Sequence, residues 1–166
     1  MQILGIDPGL ASLGWGVVEQ DGARLVYKAH GCLSTKADMP PAARLAYIRD
    51  QLLLIVSQYQ PQHVAMEGLF FSRNVSSAFQ VAEVRGVIRL SFYDAGLQVA
   101  EYLPNAVKQA AAGSANAGKA DVQNFVKLLL GLQAIPKPDH AADALAVAIC
   151  HAFHQGGVSA ALAKPR

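Results

Sequence analysis

Three acids and one histidine stand where chemistry is possible. Asp7 closes the apolar run Ile3–Ile6, with Pro8 and Gly9 directly behind it. Glu67 closes a second apolar run, Val64–Met66, just ahead of Gly68. Asp143 lies in the alanine-rich stretch DHAADALAVAICHAF, with His140 three residues before it and Asp139 four. In open α/β sheets, sites are built at the C-terminal ends of strands. Helical spacing puts His140 and Asp143 on one face. Taken singly, Asp7 and Glu67 each fit as turn residues, Asp139 as a helix N-cap, and His140 as a first-turn surface histidine. Asp143 resists such a reading, because an unpaired acid in so apolar a helix is costly. If the strand tips and this helix meet, carboxylates about 4 Å apart repel by roughly 1 to 4 kcal/mol. No Lys or Arg of these motifs is placed to neutralise them. A divalent cation does so, and oxygen-rich donors with one imidazole suit Mg²⁺ or Mn²⁺. A pair of such ions activates water and stabilises the leaving oxygen of a phosphodiester.

The remaining pattern supplies the elements that must hold these residues. Three strand-like runs come first, Ile3–Ile6, Leu13–Glu19 and Leu25–Leu33, with the hairpin signal Asp21-Gly22 between the last two. Leu45, Ile48, Leu52, Ile55 and Tyr59 recur at helical spacing, predicting a helix from Pro41 to Gln60. The strand ending at Glu67 follows, then a helix from Ser76 to Ala95 closed by Gly96. LQVAEYL is a fifth strand, and Pro104 opens a short helix to Ala112. Two helices complete the chain, Ala120–Leu130 with Gly131 as its stop, and Asp139 to His154. Strands in a meander and then strands alternating with helices predict an α/β fold with a mixed sheet. Gly14 and Gly16 lie in the second strand beside Asp7. They leave room either for a phosphate or backbone near Asp7, or for a helix packed tightly on the sheet.

Size and composition agree with one globular domain: 166 residues, 52% hydrophobic and 16% charged. No apolar run is long enough to span a membrane, and no secretory pattern opens the chain, which predicts a cytoplasmic protein. Cys32 and Cys150 have neither disulfide-framework nor metal-motif spacing. The net charge is only +2, and the excess of bases lies wholly in the last 66 residues, a hint of a basic face.

The stretches GIDPGLASLGWGVV, AMEGLFFSRN, VKQAAAG and HAADALAVAICHA resemble, in order, the motifs of the RuvC-type Holliday-junction resolvases. The resemblance runs from the first strand to about His151 and implies an RNase H-like fold, a five-stranded mixed β-sheet flanked by α-helices. Residues 1–155 are expected to form this domain, and the composition of 156–166 predicts a loose tail. The resemblance implies a homodimer that resolves four-way DNA junctions by paired nicks in recombination and repair, using Mg²⁺ or Mn²⁺, alongside a branch-migration motor. The family's acidic positions fall on Asp7, Glu67 and Asp143, and its fourth active-site position on His140, where many members carry aspartate. As metal ligand or proton carrier, a neutral imidazole serves near pH 7. The resemblance also points to Phe70 as an aromatic that contacts bases. Neighbours on an extended chain alternate, so of Phe70 and Phe71 one faces inward and one outward. Arg73, Asn74, Lys108 and Lys119 fall on positions suited to phosphates.

Two rivals remain from other classes. GIDPGLASLGWG also resembles the first phosphate motif of actin-like and sugar-kinase ATPases, but 166 residues leave no room for their second lobe. A DNA-binding module without catalysis gains nothing from keeping acids near phosphates. GSANAGKA nearly spells a P-loop, yet Ala120 stands where a hydroxyl is needed.

Overall fold

The computed structural model describes residues 1–68 and 75–155, with the main chain alone at 75–77. The expected tail at 156–166 and the expected DNA contacts Phe70, Phe71, Arg73 and Asn74 lie outside the described residues. The elements run β1 (Gln2–Asp7), β2 (Ser12–Asp21), β3 (Arg24–Ser34), α1 (Pro41–Tyr59), β4 (His63–Glu67), α2 (Val75–Asp94), β5 (Val99–Tyr102), α3 (Pro104–Ala112), α4 (Lys119–Leu129) and α5 (Asp139–Gln155). Five strands form one sheet in the order β3-β2-β1-β4-β5. The hairpin-linked strands pair antiparallel, and β1–β4 and β4–β5 pair parallel, as the helices between them require. Gly22 turns the β2–β3 hairpin in the left-handed region, at φ 58°.

Strand alternation sorts the sheet into two faces. Leu4, Ile6, Val64 and Met66 face α1 and α2, burying Ile48, Leu52, Val84, Ile88 and Phe92. Ile3 and Ala65 face the other way, against α5, which α3 and α4 cover from outside. The same period of two carries Asp7 and Glu67 onto the α5 face. α5 is buried nearly all round from Ala141 to Ala152, so its alanines are packing surface rather than a solvated stripe.

Glycines let that helix descend onto the strands. A Cβ on Gly5 would stand 2.1 Å from the Ala144 carbonyl oxygen, and one on Gly14 would stand 1.9 Å from that of His140. One on Gly16 would meet Leu145 at 2.7 Å. Of the two readings of Gly14 and Gly16, close helix packing is the one realised. Helix ends behave as their glycines predict: Gly96 and Gly131 take φ 75° and 62° and close α2 and the turn after α4.

Candidate active site

Asp7 ends β1 directly opposite Gly14 on β2. Because Gly14 has no side chain, the first turn of α5 sits on it, and His140 reaches back across the strand tip. Its Nδ1 lies 2.7 Å from Asp7 Oδ2. Asp143, one turn further along α5, brings a carboxylate oxygen to the same place. Donor atoms of Asp7, His140 and Asp143 all fall within 4.8 Å of one another. Asp7 and His140, 133 positions apart in sequence, thus meet at one sheet edge.

Glu67 stands at the adjacent tip of β4, beside β1 in parallel register. It lines a cleft of about 240 Å³ with Lys108, Lys119 and Asp143, roofed by Pro104, Val107 and Val122. Its carboxyl group lies beyond the tight three-residue cluster but feels it. Burial first, then the Asp7 and Asp143 charges, push the Glu67 pKa up to about 7. Asp7 is raised as well, chiefly by burial, although its hydrogen bond and charge interaction with His140 pull the other way. Acids raised in this way, chiefly by burial and by one another, mark a candidate functional site.

Lys119 departs from expectation. Foreseen only as a phosphate contact, it places Nζ 3.3 Å from Asp143 Oδ2 and 3.4 Å from Asp139 Oδ2. A lysine from outside the motifs of Asp7, Glu67 and Asp143 therefore offsets part of the cluster. Spacing could not show this, since Lys119 opens α4 and α5 starts only at Asp139. Asp139, expected as an N-cap, falls within the first turn of α5 and is held by Lys137 Nζ at 2.9 Å. It shares Lys119 with Asp143 but lies outside the cluster of Asp7, His140 and Asp143. Lys108 shares the cleft with Glu67.

Sequence reasoning overlooked Arg85. This residue is 3% exposed on the inner face of α2, donates to the main-chain carbonyl of Glu67, and pairs with Glu101 Oε2 at 2.6 Å. Only its place near the apolar positions Val84 and Ile88 hinted at burial.

A mixed sheet of this order, with acids at adjacent strand tips and on the last long helix, defines an RNase H-like α/β nuclease fold. The family model described as crossover junction endodeoxyribonuclease RuvC matches residues 3–151, and the chain belongs to that family. A relative from Chloroflexus aggregans bearing the same description is 50% identical over 153 residues, covering 92% of this chain and 93% of its own. The structure of Thermus thermophilus RuvC in complex with a Holliday junction substrate superposes with TM-score 0.88 at 34% identity, covering 96% of this chain and 98% of that one. The yeast mitochondrial Holliday junction resolvase shares the fold at TM-score 0.66 and 13% identity, over 95% of this chain and 82% of that one. Membership of this nuclease family carries divalent-metal dependence. Among the described residues, no helix is long and apolar enough to cross a membrane.

Proposed function

We propose that this protein cuts four-way DNA junctions by paired, symmetric nicking, with Asp7, Glu67, His140 and Asp143 as the catalytic and metal-holding residues. The observation that carries the reading is the convergence of Asp7, His140 and Asp143 donors within 4.8 Å at a sheet edge, with the half-buried Glu67 at the adjacent strand tip. Carboxylate oxygens with one imidazole nitrogen fit hard divalent ions such as Mg²⁺ or Mn²⁺, and a pair of them suits this number of donors. When bound, such ions supply an activated water and charge stabilisation at the leaving oxygen of the phosphodiester.

The chain's own groups do the rest. Asp7, between β2 and β4 in the sheet, is central enough to touch both halves of the cluster. His140 Nδ1 fixes the Asp7 carboxylate through their hydrogen bond, and its second ring nitrogen remains to bind or to move a proton. Lys119, paired with Asp143 here, would be free to meet a phosphate oxygen if that carboxylate held a cation. Lys108 meets the same backbone from the far wall of the cleft. Phe70 or Phe71, three and four residues beyond Glu67, stacks on a base opened at the crossover, and Arg73 and Asn74 touch phosphates nearby. Cleavage leaves a 5′ phosphate and a 3′ hydroxyl.

Symmetric cutting needs two such clusters related by a two-fold axis, which an isologous homodimer supplies. We assign the dimer surface to α2, where Phe79, Leu90 and Tyr93 are 70%, 61% and 77% exposed. The test offers the protein a synthetic four-way junction and a linear duplex, each with Mg²⁺, Mn²⁺ or chelator. Paired nicks confined to the junction and abolished by chelator are expected. Metal-independent cleavage, or equal cutting of the linear duplex, would overturn the reading.

A further inference from the structure

Glu67 lines the cleft with its side chain, and its main-chain carbonyl is held from behind by Arg85. β4 ends at Glu67, and the last ladder bond on the β5 side runs from Gly68 N–H to the Tyr102 carbonyl at 2.7 Å. From the opposite direction, Nη1 of Arg85 donates to the Glu67 carbonyl, while Nη2 donates to Glu101 Oε2 at 2.6 Å. Arg89, one turn along α2, donates through Nε to Glu101 Oε1 at 2.9 Å and so fixes the carboxylate that orients Arg85. The guanidinium is 3% exposed, and Glu101 sits on β5 opposite Met66, one residue before Glu67.

Stability alone accounts for this poorly. An apolar side chain of similar volume packs at such a position without the desolvation penalty, and replacing a buried ion pair that way is often neutral or favourable. What an apolar residue cannot do is fix a main-chain carbonyl. A planar fork reaches two acceptors at once in a set geometry, which an ammonium does not.

We propose that Arg85 is a positioning residue: by clamping the main chain at the tip of β4 against Glu101, it aims the Glu67 carboxylate at the Asp7–Asp143 cluster. α2 thus carries an apolar outer face and, on its inner face, the anchor of one site residue. The inference rests on Glu67 serving as a metal-holding residue, as proposed above.

The test uses the full chain with Arg85→Lys, Arg85→Met and Glu67→Gln, and four readouts. These are the affinity for Mn²⁺ alone by calorimetry, junction binding in chelator, the kcat and KM of cleavage, and the melting temperature. Arg85→Lys keeps the charge but loses the rigid fork that spans the Glu67 carbonyl and Glu101, so it is expected to fold and to bind the junction normally. Its Mn²⁺ affinity and kcat are expected to fall about 10- to 100-fold with KM unchanged, the usual effect of removing a group that orients a ligand. Arg85→Met shows the same or more where it folds; where it does not, the lysine variant decides. A lowered melting temperature with normal Mn²⁺ affinity and kcat would reduce Arg85 to a structural residue. Weakened junction binding with intact Mn²⁺ affinity would make it a DNA contact, and would equally overturn the proposal. Glu67→Gln separates the two layers. Full activity there defeats the assignment of Glu67, whereas loss of activity there beside unaffected Arg85 variants defeats only the positioning role.

Discussion

Asp7 combines burial, a bond to His140 and a central place among the acids, so its charge is the one the site can least spare. Asp7→Asn is expected to abolish nicking while leaving junction binding equal or tighter, because one negative charge near phosphates is gone. Gel-shift and cleavage assays on one preparation check both halves. His140→Asp replaces the imidazole by a carboxylate, leaving oxygen donors alone, and is expected to stay active with a changed metal preference. An inactive variant would favour the proton-carrier role. Glu67 offers a test without DNA. Its pKa rises from 4.5 to about 7 on folding, so the native state binds more protons than the unfolded chain between those values. The Glu67 contribution to metal-free stability is therefore greatest at low pH and falls as pH climbs through that window, by at most about 3 kcal/mol. Melting curves in chelator from pH 5 to 8 should show this decline in the parent and lose it in Glu67→Gln. Divalent ions should raise the melting temperature more at pH 8 than at pH 5, since only the ionised site attracts them.

At the scale of elements, the decisive contact is between α5 and two strands that lack side chains beneath it. Gly14→Ala drives a methyl group into the His140 carbonyl, and overpacking of this kind costs roughly 1 to 3 kcal/mol. The first turn of α5 has to lift, taking His140 off Asp7. A lowered melting temperature and a fall in cleavage beyond any loss of folded protein are expected; wild-type kcat in a stable variant would refute it. The element order was legible in the sequence because its signals are local: helical spacing in α1, Asp21-Gly22 at the hairpin, Gly96 and Gly131 as stops. Asp7, Glu67 and Asp143 were legible because a carboxylate ending or interrupting an apolar run loses hydration and needs a partner to offset the cost. Lys119 on Asp143 and Arg85 behind Glu67 were not, since both contacts arise only when separate elements pack together. Gly14 was noticed, but only coordinates distinguish a helix overhead from a phosphate.

For the whole molecule, one cluster cuts one strand, and pairing of clusters is a property of the assembly. Leu90→Asp places a charge in the middle of the exposed apolar face of α2. Sedimentation is expected to show a folded monomer, with junctions nicked singly rather than resolved; a variant that remains dimeric would move the interface elsewhere. Arg85 extends this logic, since the helix assigned to the partner surface also anchors the β4 tip.

The bare seam under α5 has a consequence for behaviour on heating. Where backbone rests on backbone, the distance between the first turn of α5 and β2 is set by bond lengths and van der Waals radii, with no side chain between Gly14 and the His140 carbonyl to loosen. Warming that softens ordinary side-chain packing has little to act on along this seam, so helix and strand are expected to part only when the domain melts as a unit.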